Sequence, residues 1–325
     1  MRLAVVPQRR RVTLARKPHE RQAAESMHGV ALAPGGVRGM DRDDPGGWVT
    51  PDRVPMRFFV VTFLWSWVVW VPLALAGLGI VPLDADLVAG LAVPAAMLGA
   101  FGPAVGAVAA IWSLEGRAAL GRFLRRFASL RFGTRAWIAM FGVLGALSAV
   151  AWYLPEAFGE PRLPMLLPSA AAFPIWLVLM VLLGGGQEEV GWRAYAMEPL
   201  EARFGLWGGN VVLGLVWVFW HLPLWFVPGS SQEHMPVLAF AMGTVGVSFF
   251  FSWVIKASGG RPLAGLVAHG AYNAYIALFP TLVMEADAAQ PRWWIHQSLV
   301  LVVGVLFMLR VARRRASPDG GPVEG

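Results

Sequence analysis

The sequence of 325 residues contains no cysteine. Disulfide bonds, thiolate metal ligands and cysteine nucleophiles are therefore excluded. Charged residues make up only 14% of the chain, and lysine accounts for only two of its 27 basic residues. A soluble domain has about 25% charged residues. The scarcity of charge therefore argues against an ordinary soluble domain.

Apolar residues take the place of the missing charges. They form 57% of the chain, and the mean hydropathy is +0.56. They lie in blocks of about 20 residues, the length of helix that crosses a hydrocarbon core of ~30 Å. The sequence predicts an all-α, multi-pass protein of the cell membrane with about eight transmembrane helices. The predicted spans are 58–80, 88–113, 135–155, 172–197, 207–228, 237–255, 262–280 and 293–312.

Both ends of the chain differ from this membrane domain, which is predicted over 56–315. Residues 1–55 contain ten Lys and Arg residues, much Pro and Gly, and no sustained apolar run. This composition predicts a disordered basic tail. Met56 would also make a plausible chain start. Residues 316–325 are predicted to be a second disordered tail.

Basic residues fall almost entirely on one side of the eight alternating spans. That side receives 25 of the 27, and the other receives only Arg162 and Arg292. The positive-inside rule therefore predicts that both termini are cytoplasmic. A basic excess of this kind faces anionic lipid, so the lipid bilayer is a predicted partner and nucleic acid is not. The sparsely basic side carries Asp84, Asp86, Glu156, Glu160, Glu233, Glu285 and Asp287.

A few ionisable or amide residues lie inside the predicted spans, where each charge costs at least ~2.5–3.5 kcal/mol. The candidate site residues among them are Glu188, Glu189, Arg193, His221, His269 and Asn273. Helix rise places Glu188, His221 and His269 within about 5 Å of the midplane in depth. Separate polar contacts between helices are the alternative. The matched depth favours one common site.

Spacing along the helices divides these residues into pairs. Glu189 and Arg193 are four residues apart and can form an ion pair. Glu188 is rotated by about 100° from its neighbour, so its partner must come from another helix, either His221 or His269. His269 and Asn273 share one helix face and can together donate hydrogen bonds to an oxyanion.

Two kinds of hydrolytic chemistry fit this set. A carboxylate with a nearby imidazole can activate water as a general base. The same Glu188, His221 and His269 can also hold a zinc ion with a bound water. No H-E-x-x-H or Gly-x-Gly-Asp motif is present, and Ser258 lies too close in sequence to His269 for a serine intramembrane protease. The run 184–186 of three glycines allows close backbone approach, a local opening for a substrate peptide, or helix packing.

Three short motifs follow one another in separate spans. Residues 188–193 read E-E-x-x-x-R, 217–221 read W-x-x-x-H, and 269–273 read H-x-x-x-N. Together they resemble the CPBP intramembrane proteases, which include CAAX proteases and bacteriocin-processing enzymes, although that family has Phe where this chain has Trp217. The resemblance covers about 170–280.

The resemblance implies a role for each motif. Glu188 and His221 would activate the hydrolytic water, and His269 and Asn273 would stabilise the oxyanion. Arg193 with Glu189 would brace the site. The family is commonly labelled metalloprotease, which leaves the zinc alternative open.

The predicted function is therefore an intramembrane endopeptidase acting near the cytoplasmic half of the membrane. Its substrate would be a peptide or a membrane-anchored protein, and the Arg-rich, Lys-poor composition is typical of a GC-rich bacterial gene. A proton-coupled transporter is an alternative, because buried Glu and His also relay protons, but no internal repeat supports it. A non-catalytic immunity or scaffold member of the family is a third hypothesis, which only an assay can separate from an enzyme.

Overall fold

A computed structural model describes residues 54–285 and 287–316. The two predicted tails lie almost entirely outside this part of the chain, so they stay predictions. The described residues are helical and include no β-strand, which confirms the all-α class. Six helical stretches among them are long and apolar enough to cross a membrane. The protein is thus an integral membrane protein, but the predicted number of eight spans is not confirmed.

Long helices and one irregular connection make up the fold. The segment 183–196, here called the motif segment, joins the helix Phe173–Leu182 to the helix Met197–His221 and contains a 3₁₀ turn at Gly186–Glu188 and a π-helical turn at Trp192–Ala196. The helices are α1 (Met56–Gly77), α2 (Ala85–Gly99), α3 (Gly102–Arg125), α4 (134–153), α5 (Phe173–Leu182), α6 (Met197–His221), α7 (Val237–Ala257), α8 (Pro262–Leu278) and α9 (Pro291–Ala316).

The span count differs from the prediction for two physical reasons. The predicted span 172–197 is not one helix, because α5 ends at Leu182 and Gly185 has a φ of +117° that no continuous helix contains. As a result, the helical turns from α5 to the end of α6 form one stretch, Ala170–Phe226, in place of the two predicted spans 172–197 and 207–228. In addition, α8 has only 17 residues, slightly fewer than the ~20 that cross a hydrocarbon core.

The basic connection 114–136 is largely helical. After a break at Gly116, where φ is +84°, the chain is helical again up to Arg125. Phe123 is fully buried on this short helix. Arg126 donates a hydrogen bond of 3.2 Å to the carbonyl of Ala194. This connection therefore packs against the motif segment and does not form a free loop.

Small residues bring the helices of the bundle close together. α7 packs against α6, α8 and α9, while α5 lies against α8 and α3 against α1. A Cβ added to Gly304 of α9 would lie 2.3 Å from the carbonyl oxygen of Gly246 in α7, so only glycine permits this contact. Outward-facing apolar residues such as Leu64, Val68 and Ile175 are exposed, as lipid contact requires.

Candidate active site

Glu188 lies in the motif segment and is 5% exposed. Its Oε2 accepts a hydrogen bond of 2.8 Å from Nε1 of Trp217 on α6, and Nε1 of Trp192 lies 3.4 Å away. The sequence predicts a partner from another helix, which is found. The prediction that this partner is His221 or His269 is wrong, because the indole of Trp217, one turn before His221, occupies the position next to the carboxylate.

Glu189 holds two different elements together. Nη1 of Arg193 lies 3.0 Å from its carboxylate, and both side chains are fully buried, so the predicted ion pair is present. Nδ1 of His269 on α8 lies 2.8 Å from Oε1 of the same carboxylate. The spacing of the sequence does not predict this second contact. Glu189 therefore fixes the ring of His269 as well as the guanidinium of Arg193.

Arg193 lies between two aromatic rings behind the site. Its guanidinium carbon is 4.5 Å from the ring centre of Trp217 and 5.1 Å from that of Phe251. Nε and Nη2 have no hydrogen-bond partner within the described part of the chain. Cation–π attraction, which is stronger in a desolvated site, compensates in part for these missing bonds. Arg193 thus ties Glu189 to the aromatic wall around Glu188.

His221 is the last residue of α6. Its Nδ1 lies 2.9 Å from the carbonyl oxygen of Trp217. A carbonyl can only accept a hydrogen bond, so Nδ1 carries the proton and Nε2 is an acceptor whenever the ring is neutral. The helix ends here, so His221 lies at a helix terminus and not near the centre of the longer span that the sequence predicts.

The backbone at Gly185 lies directly against His269 and Asn273. A Cβ at Gly185 would lie 2.6 Å from both Nε2 of His269 and Nδ2 of Asn273. Nδ2 of Asn273 also donates a hydrogen bond of 2.6 Å to the carbonyl of Gly184. Of the roles predicted for the three glycines, close backbone approach is therefore the one observed at Gly185. The amide nitrogen of Asn273 has a second N–H for another acceptor.

One cavity of about 370 Å³ joins the residues of all three motifs. Glu188, His221, His269 and Asn273 line it, and most of the remaining wall is apolar. Glu189 and Arg193 lie behind this wall. The six predicted residues therefore form one cluster, with four facing the cavity and two supporting them.

The predicted zinc ligands do not form a metal site in this arrangement. No three His, Asp or Glu side chains in residues 54–285 and 287–316 are grouped so that they could hold a metal ion. Glu188 is bound by indole N–H groups, and Nδ1 of His269 is bound to Glu189. Because the donor atoms do not converge, these side chains do not fit a zinc ion in this arrangement.

Comparison with known proteins identifies this region. Residues 170–275, which contain all three motifs, match the family model for type II CAAX prenyl endopeptidase Rce1-like proteins. The predicted family resemblance is confirmed. A segment of 56 residues is 39% identical to CAAX prenyl protease 2 of Methanococcus maripaludis. It is 17% of this chain and 21% of that relative, so the chain matches about a fifth of the length of the CAAX protease.

Sequence reasoning missed the donors that surround Glu188. Trp217 stands at the position where the CAAX proteases have Phe, and treating it as an aromatic exchange overlooks its N–H group. Trp192 lies four residues after Glu188, a spacing at which side chains on a helix meet. The sequence therefore contained a usable signal. Trp192 lies four residues after Glu188 and Trp217 lies four residues before His221, and each indole carries an N–H donor.

Proposed function

We propose that this protein is an intramembrane endopeptidase in which Glu188 and His221 activate water to hydrolyse a peptide bond. The observation that carries the proposal is the shared cavity, which is lined by a carboxylate, two imidazoles and an amide. The match to CAAX endopeptidases supports the reaction class. The substrate is a peptide or a membrane-anchored protein within the lipid bilayer.

Water activation uses the acceptor atoms of Glu188 and His221. Both indole hydrogen bonds go to Oε2 of Glu188, which leaves Oε1 for a water molecule. The neutral ring of His221 offers Nε2 as a second acceptor, because its Nδ1–H is bound to the helix backbone. Water loses a proton to this pair as its oxygen attacks the peptide carbonyl, and the proton then passes to the leaving amine.

Stabilisation of the oxyanion falls to His269 and Asn273. In this proposal His269 acts as an imidazolium, whose Nδ1–H is bound to Glu189 and whose Nε2–H is the donor. Asn273 supplies the second N–H of its amide. One such donor is worth about 10²–10³ in kcat. Glu189 and Arg193 are positioning residues in this scheme, since both lie behind the cavity wall.

The test compares peptide termini in membranes of cells that produce either the intact protein or Glu188→Gln. Gln keeps the shape of the side chain but cannot take up a proton, so we expect one or more termini that appear only with the intact protein. Glu160→Gln is the matched control, because Glu160 is exposed and does not line the cavity. Unchanged cleavage by Glu188→Gln would contradict the general-base role. Absence of cleavage by the intact protein would favour the non-catalytic hypothesis.

The neighbouring carboxylate is expected to behave differently. Glu189→Gln leaves the buried guanidinium of Arg193 without its counter-charge, a loss of about 3–5 kcal/mol for a buried pair. We therefore expect less folded protein in the membrane, measured by quantitative immunoblotting, with more activity per folded molecule than Glu188→Gln retains. Normal protein levels with no activity would show that the two glutamates have exchanged roles.

A further inference from the structure

The cavity extends from the motif segment toward one end of the helix bundle. On α7 its lining residues belong to the first half of the helix, from Phe240 to Val247. On α6 they belong to the last two turns, and on α9 to the first two turns. On α8 they run from His269 to Ile276, in the second half.

These four regions lie on the same face of the bundle because α6, α7, α8 and α9 follow one another along the chain. The end of α6 meets the start of α7 through residues 222–236, and the end of α8 meets the start of α9 through residues 279–290. The exposed Ser231 lines the cavity within the first of these connections. The cavity therefore opens toward the face that carries 222–236 and 279–290.

The same face is the one that has few basic residues. Its Arg162 is paired with Glu156 at 2.7 Å. Its Arg292 is 2% exposed and donates hydrogen bonds to the carbonyls of Trp152 and Pro161. Both cations therefore have structural partners, while acidic side chains such as Glu233 are exposed on this face.

The opposite face carries most of the other basic residues, including those of the connection between α3 and α4 and of the end of α9, whereas Arg193 is buried beside Glu189. Because basic loops stay in the cytoplasm, the mouth of the cavity belongs to the outer face. The sequence alone predicts that the reaction takes place near the cytoplasmic half of the membrane. When the structure is oriented by the same rule, the residues that line the cavity lie in the outer half of the membrane.

We propose that the cavity takes its substrate from the outer face of the membrane, as an apolar peptide segment without acidic residues next to the cleaved bond. None of the described residues that line the cavity is Arg or Lys, and most of the wall is apolar, so a substrate carboxylate meets no cationic side chain there apart from the histidines. The hydrolysis of that segment rests on the proposed function, whereas the direction of access does not.

The absence of cysteine makes the direction of access directly measurable, since each single-cysteine variant contains one thiol. Ser231→Cys places it at the mouth, and Ala128→Cys places it at an exposed position on the basic face. In spheroplasts treated with a membrane-impermeant maleimide, we expect Ser231→Cys to react at least tenfold faster than Ala128→Cys. Ala128→Cys should react only after the membrane is permeabilised. The reverse pattern would overturn the proposal.

A third variant follows the path into the cavity. Val247→Cys lies in the cavity wall and is 4% exposed. A small cationic thiosulfonate added outside intact spheroplasts should modify it, because the cavity connects it to the outer face. Modification only in inverted vesicles would overturn access from outside. All three variants are also made with Glu188→Gln, so that labelling is measured independently of proteolysis.

The substrate part of the proposal is tested on the termini found by the proteomic comparison. We expect them in outer segments of exported or membrane-anchored proteins, and we expect Asp introduced next to the cleaved bond to lower cleavage at least tenfold, whereas Lys does not. Termini in cytoplasmic segments would overturn the proposal. Unchanged cleavage by Glu188→Gln would refute the proposed function alone, and reversed thiol labelling would refute the access route alone.

Discussion

Trp217 distinguishes this site from that of the proteases it resembles. The indole N–H is the nearest donor to Glu188, at 2.8 Å, whereas Phe at the same position has no donor. A hydrogen bond to a charged group contributes about 1.5–3 kcal/mol. The orientation of the carboxylate in this chain therefore depends on a residue that the family motif does not require to be polar.

Trp217→Phe tests this dependence. Phe keeps an aromatic ring beside Arg193 but lacks the N–H and the larger volume of the indole, and the same loss of volume occurs in the control. We expect normal protein levels with kcat reduced about tenfold or more, from the energy of one charge-assisted hydrogen bond. Trp152→Phe is the matched control, because its N–H binds the carbonyl of Leu163 away from the cavity. Equal activity of both variants would show that Glu188 is held by other contacts.

Individual side chains also decide whether the activity requires a zinc ion. Water activation by Glu188 and His221 predicts that purified protein contains well under one zinc per chain and that 1,10-phenanthroline leaves its activity unchanged. Elemental analysis together with activity measurements checks this. If metal and activity instead disappear together in His221→Ala and His269→Ala, the side chains rearrange to bind zinc, and the metalloprotease hypothesis gains support.

The irregular backbone of the motif segment brings the first motif into contact with the third. A straight helix over 172–197 could not contain the φ of +117° at Gly185. The break at Gly185 instead places the carbonyl of Gly184 within 2.6 Å of the amide of Asn273. The run of glycines therefore connects the first motif to the third through the backbone.

Gly185→Ala should disrupt this connection. The new Cβ would collide with Nε2 of His269 and Nδ2 of Asn273, and a φ of +117° is strained for any side chain. We expect loss of nearly all activity. Gly205→Ala separates the two effects, because Gly205 also has a positive φ but has nothing within 4 Å of the added Cβ. Gly205→Ala should lower the free energy of unfolding by about 1–2 kcal/mol, and the folded protein should keep its activity per molecule. Similar loss of activity in both would attribute the effect to strain alone.

The sequence predicts the elements well where periodicity and length suffice. The first and last predicted spans, 58–80 and 293–312, correspond closely to α1 and α9. The irregular course of residues 183–196 could not be predicted, because hydropathy does not distinguish a helix from a broken one. Within the site, spacing on one helix predicts the pair of Glu189 and Arg193. Contacts between helices, such as Glu189 with His269, depend on rotations about helix axes that the sequence does not specify.

For the molecule as a whole, the orientation in the membrane is a prediction from charge. Reporter fusions after residues 125 and 315 should be cytoplasmic, and a fusion after residue 231 should be external, because 25 of 27 basic residues lie on one side. Paired alkaline phosphatase and green fluorescent protein reporters measure this. An external signal after residue 125 would invert the orientation and with it the leaflet that contains the cavity.

The position of the cavity at one end of the bundle also determines which bonds of a helical substrate are within reach. In the middle of a helix each peptide carbonyl is engaged with a backbone N–H four residues on, whereas the last four carbonyls are free of such bonds. A protease that works near the end of a bundle needs only to fray a terminal turn of its substrate. Susceptibility to cleavage should therefore follow how easily the outer end of the substrate helix unwinds, and Gly or Pro near that end should increase it.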